Sequence, residues 1–224
     1  MDRDALKRAA AARAVEEIRD GMVVGLGSGS TAEIALALLA ERKPKIVGVP
    51  TSERTARLAR QLGLTLASLD DHPVLDLAID GADQVERGTL DLIKGLGGAL
   101  LREKLVASAA RRMIVMVDDS KLVDRLGGIA LPVEIVAWGW RSTLARLEGA
   151  GLQPALRGGG QPFVTDGGNL IADCAAGPID DAHALDVRLR ALTGVVETGL
   201  FLGLASRVIV ATPGRVKVLD RCAR

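Results

Sequence analysis

Four short apolar runs, at residues 22–25, 45–49, 74–79 and 113–117, alternate with helix-patterned segments along the first half of the chain. Few folds accommodate such an alternation. Strands separated by helices pair in parallel through right-handed crossovers, with helices on both faces of the sheet. The predicted class is therefore α/β, a doubly wound, mostly parallel, Rossmann-like sheet, and the carboxyl ends of its strands share one edge, where open α/β sheets bind ligands. An alanine-rich helix over 5–18 precedes the first strand, with Leu6, Ala10, Ala14 (or Val15) and Ile18 on one stripe and Asp20-Gly21 at its end. Further helices are expected over 32–41, from Pro50-Thr51-Ser52 to about 62, and over 98–110. Hydrophobic residues make up 48% of the chain, but only 2% are aromatic, none is Tyr and 26 are Gly, which describes an aliphatic core crossed by many tight turns.

Past Gly127-Gly128 the pattern changes. Strand at 131–136, helix at 138–147, strands near 151–156 and 169–173, helix at 182–192 and strand at 195–201 follow the order of a split βαβ unit. This predicts a second, smaller, ferredoxin-like α+β domain over residues 131–204. The first domain then takes residues 1–130 and 205–224, because 207–211 and 215–219, separated by Pro213-Gly214, form a hairpin that can return to the first sheet.

Two loops on the shared edge carry chemistry. In Leu26-Gly27-Ser28-Gly29-Ser30-Thr31 small residues let backbone N–H groups approach an anion at a helix start, and Ser30 with Glu33 has capping-box spacing. The loop is neither a GxGxxG fingerprint nor a Walker loop. It reads equally as a phosphate cradle or an ordinary capped turn. The second stretch, Asp80 to Lys104, places Asp83, Lys94, Glu103 and Lys104 among Gly95, Gly97 and Gly98 after the third strand. Each residue alone suits a charged surface loop, and Glu103 could simply pair with Arg102 or Lys104. Together beside a phosphate cradle they suit proton transfer α to a carbonyl, a carboxylate taking a carbon-bound proton while a Lys or backbone amides hold the enediolate charge.

Other classes find little support. The formal net charge is +1 without a long basic run, so no nucleic-acid partner is expected. His72 and His183 are too few and too scattered for a metal cluster or a Ser/His/Asp arrangement. No metal site is predicted. Cys174 and Cys222 lie far apart, reading as free thiols in a reducing compartment. With no apolar stretch after the charged N-terminus and no membrane-length run, a cytoplasmic protein without membrane partners is expected.

These residues carry a resemblance. Gly25 to Thr31, Asp80-Gly81-Ala82-Asp83, Lys94-Gly95, Arg102-Glu103-Lys104, Ser120-Lys121, Pro132-Val133-Glu134, Thr165-Asp166-Gly167-Gly168-Asn169 and Gly199-Leu200-Phe201 resemble, in order and over nearly the whole length, ribose-5-phosphate isomerases of the A type. The resemblance implies cofactor-free interconversion of ribose 5-phosphate and ribulose 5-phosphate in the non-oxidative pentose phosphate branch. By position Glu103 matches the base. Asp80, Asp83 and Lys94 match groups that handle sugar hydroxyls, ring opening and enediolate charge. Ser28, Gly29, Ser30, Thr31 and Lys121 match ligand-gripping positions, with Gly81, Ala82, Gly95, Leu96 and Gly97 beside the substrate and Lys7 a further phosphate candidate. A homodimer is expected, with a tetramer the alternative, and the Trp138–Trp140 region or Phe201 could lie in a subunit contact, in the core or between domains. Two positions depart from the family pattern: Leu96 interrupts a KGGGA motif, where a side chain would crowd a turn needing φ > 0, and Gln84 replaces an acid after DGAD. Two other readings stay open, a sugar-phosphate sensor that has lost its chemistry and an amino-sugar phosphate deaminase.

Overall fold

A computed structural model describes residues 2–221; Cys222 lies outside them. The chain opens with α1 (Arg3–Val15) and runs through β1 (Val23–Leu26), α2 (Ser30–Arg42), β2 (Val47–Pro50), α3 (Glu53–Gln61) and β3 (Leu77–Asp80). The short β4 (Gln84–Glu86) and β5 (Leu92–Ile93) precede α4 (Leu100–Ala109), β6 (Met113–Asp118), a 3₁₀ turn (Asp119–Lys121) and β7 (Leu122–Val123). Next come β8 (Ala130–Ile135), α5 (Trp140–Gly149), β9 (Gln153–Leu156), β10 (Leu170–Ala175), α6 (Ala182–Arg190), β11 (Val195–Thr198), β12 (Leu200–Phe201), β13 (Arg207–Thr212) and β14 (Arg215–Asp220).

The main sheet has six strands in the order β14-β13-β6-β3-β1-β2. All its pairings are parallel except the terminal hairpin β13–β14, which returns through β13 to β6 as the sequence suggests. Successive side chains of a strand face opposite sides, and the sheet is covered on both. Leu77, Ile79, Ile114 and Met116 meet α1 and α2 on one face. Ala78, Val115 and Val117 meet α4 on the other. The alanines Ala10, Ala11 and Ala14 are fully buried, so α1 lies close against the sheet. Helix α2 stops where Lys43 turns left-handed, its N–H bonding back to Leu39 O, ahead of Pro44.

A separate antiparallel sheet, β11-β8-β10-β9, carries α5 and α6 on its own core. This is the split βαβ order. The architecture is α/β, a parallel-rich sheet with a smaller antiparallel one.

Three local expectations are revised. The connection after β3 is not a plain loop, because β4 and β5 form a hairpin in a third sheet, β12-β5-β4-β7. The strand expected over 195–201 breaks at Gly199 and changes sheets, and the close approach of Lys94 O there, 2.4 Å from where a Cβ would lie, leaves room only for glycine. The Ser30–Glu33 capping box does not form: Gly29 (φ 88°) is the N-cap, no side chain caps the helix, and Glu33 pairs with Arg54 at 2.7 Å. Phe201 is fully buried, which leaves it no part in a subunit contact.

Candidate active site

Three buried charged side chains arrive from three different elements. Asp80 ends β3, Lys94 follows β5, and Glu103 lies in the first turn of α4; their exposures are 3%, 3% and 4%. Asp80 Oδ2 accepts from Lys94 Nζ at 2.9 Å, while Oδ1 accepts the N–H groups of Ser28 at 3.1 Å and Gly81 at 2.7 Å. Gly27 makes room for this: a Cβ there would sit 2.2 Å from Asp80 Oδ1. Lys94 Nζ also donates to Gly81 O at 2.8 Å and lies 3.3 Å from Glu103 Oε2. That oxygen is buried and, among the described residues, makes no aligned hydrogen bond.

Burial is the largest single influence on all three, and it prevails for the two carboxyls but not for the ammonium. It pushes the Asp80 carboxyl up, against the pull of Lys94 and the two amides. Burial also works against the Lys94 ammonium, yet Asp80 and Glu103 outweigh it and raise its pKa, so it stays charged. For Glu103, burial wins over Lys94, and with repulsion from Asp80 and Asp83 the carboxyl is pushed up to about 7. Two buried carboxylates around one ammonium thus keep the cation fixed and leave Glu103 able to take or give a proton near neutrality. The ring of Phe201 lies 5.5 Å from Lys94 Nζ and 5.0 Å from Lys104 Nζ. Lys104 itself is bound elsewhere, to Glu197 and Thr198 O.

Above the triad opens a cavity of about 200 Å³. Glu103, Lys94, Asp83, Gly81, Ala82, Gly95 and Gly97 line one side. The start of α2, with Gly29, Ser30 and Thr31, lines another, and Lys7 and Lys121 add positive charge. Unpaired amides and dipole at a helix start favour an anion. Asp83 Oδ2 accepts from Leu96 N at 3.0 Å and so shapes the turn after Lys94.

Several expected site residues are placed differently from the reading. Asp80 does not line the cavity but stands behind Lys94. Leu96 does not line it either; its side chain is 44% exposed, and the positive φ values fall on Gly95 (106°) and Gly98 (87°), so a side chain at 96 is unstrained. Ser28 reaches the rim, but its hydroxyl contacts Thr51, Ser52 and Thr55 at 2.8–3.1 Å, knitting the β1 and β2 turns together. Gln84 clamps Gly127 through two bonds, Nε2 to O at 2.8 Å and N to Oε1 at 2.9 Å. An acid could supply only the acceptor half of that clamp.

Four residues on the cavity wall escaped the sequence reading, Arg3, Asp118 and the β6 residues Met116 and Val117. Arg3 stands four residues before Lys7, on the same face of α1, a spacing that would have shown the pair. Neither histidine lines the cavity, and among the described residues no cluster of His, Cys, Asp and Glu is arranged to hold a metal ion.

The profile of the ribose 5-phosphate isomerase A (phosphoriboisomerase A) family matches residues 47–215. The chain belongs to this family. A ribose-5-phosphate isomerase A from Gloeobacter violaceus is 54% identical over 228 residues, spanning 100% of this chain and 99% of that one. Among solved ribose 5-phosphate isomerases, one in complex with phospho-erythronic acid superposes with a TM-score of 0.94 at 39% identity, covering 99% of this chain and 100% of its own. The ribose 5-phosphate isomerase A of Neisseria gonorrhoeae also gives 0.94, at 37% identity and 99% coverage of each. With members of the isomerase family the chain therefore shares its fold over nearly its whole length.

Proposed function

We propose that the chain interconverts D-ribose 5-phosphate and D-ribulose 5-phosphate by moving a proton between C2 and C1 through an enediolate, without a cofactor, in the non-oxidative pentose phosphate branch. The observation that carries this reading is the buried Glu103 oxygen at the cavity, which makes no aligned hydrogen bond among the described residues and lies 3.3 Å from the Lys94 ammonium. Glu103, poised near neutrality, takes the C2 proton of the open-chain aldose and returns it at C1, while the O2 hydroxyl proton passes to O1. Lys94 stabilises the negative oxygen that forms, and it does so without reorganising because Asp80 already fixes its position and charge. Asp83 handles a sugar hydroxyl and ring opening, while Asp80 acts through Lys94. Ser30, Thr31 and the α2 amides receive the phosphate together with Lys7, Lys121 and Arg3; Gly29 opens the approach, and Ser28 holds the turn. The relative that binds phospho-erythronic acid supports the assignment, since the planar carboxylate of a phosphorylated sugar acid resembles an enediolate.

The test is turnover: the purified protein should form ketose from ribose 5-phosphate and release no ammonia from glucosamine 6-phosphate. Binding of ribose 5-phosphate without ketose formation would leave a sensor. We further place the enzyme in the cytoplasm as a homodimer. Trp138, 90% exposed ahead of α5, and Val136, 41% exposed, offer the apolar surface for a contact. Sedimentation at twice the chain mass supports that assignment and sedimentation at the chain mass opposes it.

A further inference from the structure

Arg157 belongs to none of the motifs above, yet it reaches the turn that follows Lys94. It lies just after β9, and Asp173 on neighbouring β10 takes its guanidinium in a two-pronged pair, Nε donating to Oδ2 at 2.8 Å and Nη2 to Oδ1. Such a pair fixes the guanidinium plane. Nη1 then donates to two successive carbonyls, Gly95 O and Leu96 O, both at 3.1 Å. In a planar trans peptide the C=O and N–H point opposite ways. Holding Gly95 O therefore turns the Leu96 N–H toward Asp83, which accepts it at 3.0 Å. Holding Leu96 O likewise turns the Gly97 N–H away from Arg157. Gly97 lines the cavity, and its amide has no acceptor among the described residues. The Phe163 ring braces the far end of the turn: it lies 5.9 Å from the guanidinium, and a Cβ on Gly98 would sit 2.5 Å from it.

The geometry points to Arg157 as a positioning residue for the isomerisation, a guanidinium on the small sheet that presets the Gly97 N–H to donate to the substrate oxygen gaining charge in the enediolate. The inference rests on the isomerase reading. A turn made of three glycines around Leu96 has wide conformational freedom, and a donor displaced by about 1 Å loses on the order of 10²-fold in rate. Arg157 and Asp83 remove that freedom from opposite sides.

Arg157→Ala is expected to lower kcat for ribose 5-phosphate by about 10- to 100-fold. Inhibition by inorganic phosphate, which would be gripped at the α2 rim, should keep its constant within about twofold, because that grip does not involve the turn. Asp173→Asn loosens the same guanidinium from outside the turn and should lower kcat in the same way. The double variant should lose no more than Arg157→Ala alone. Arg157→Lys, with one ammonium for a fork, should recover only part of the rate. A folded Arg157→Ala enzyme with unchanged kcat would overturn the inference, as would a kcat loss matched by an equal loss of phosphate inhibition. Should Arg157→Ala fail to fold, Asp173→Asn carries both readings. The unsubstituted enzyme is the reference: if it does not turn over ribose 5-phosphate, the isomerase reading falls, whereas the ratio of variant to reference addresses Arg157 alone.

Discussion

Glu103 occupies a place where a negative charge is costly, and that cost is its use. Burial pushes its carboxyl up to about 7 from the ordinary 4.5, so with Glu103 as the proposed base kcat/KM should rise with pH on a limb centred near 7. Folding stability should move the other way. Because the folded-state pKa lies above the unfolded one, this group's contribution is full below about pH 4.5 and is lost as pH rises through about 7. Glu103→Gln removes the ionisation, and its melting temperature relative to wild type should be higher at pH 8 than at pH 5. The same variant should lose about 10²- to 10⁴-fold in kcat with KM largely kept. Ser30→Ala and Lys121→Ala probe the proposed phosphate end of the substrate. A phosphate remote from the reacting carbons is gripped alike in ground and transition states, so KM should rise with kcat little changed. Collapse of kcat at constant KM would move these residues into the chemistry.

Between elements, the site is held by contacts that sequence motifs reveal unevenly. Strand β3, the glycine loop before α2 and the start of α4 were legible because apolar runs, glycines and charges follow known periodicities. The third sheet was not: β4, β5 and β12 have two or three residues each, too few to show a period. Nor was the partnership of Gln84 with Gly127, 43 residues away, since a lone polar residue at a strand start announces no partner. Gln84→Ala deletes both bonds of that clamp and should cost about 1–3 kcal/mol in chemical denaturation while leaving kcat near wild type. Gly27→Ala should do the reverse of this separation. Its Cβ would press on Asp80 Oδ1 at 2.2 Å and on the Asp80 backbone at 2.7 Å, so both melting temperature and kcat should fall.

At the scale of the whole molecule, the parallel sheet delivers the α2 and β3 ends to one edge, and the small sheet closes over the Lys94 turn through Arg157. The two-sheet order was readable from the strand–helix sequence, but the inter-sheet clamp was not, because Arg157 and Leu96 are 61 residues apart and an arginine after a strand has no distinguishing pattern. Charge stabilisation by Lys94 and oriented amides also bears on metals. Protein treated exhaustively with EDTA should keep its rate, and a loss restored by a divalent ion would contradict this. The central claim is proton transfer by Glu103, and it is tested most directly by incubating wild-type and Glu103→Gln protein with ribose 5-phosphate in D2O. The account predicts ribulose 5-phosphate carrying solvent deuterium at C1 from the wild type, with ketose formation and deuterium incorporation lost together in the variant. Wild-type turnover by a normally folded Glu103→Gln protein, or ketose formed by the wild type without solvent deuterium, would contradict it.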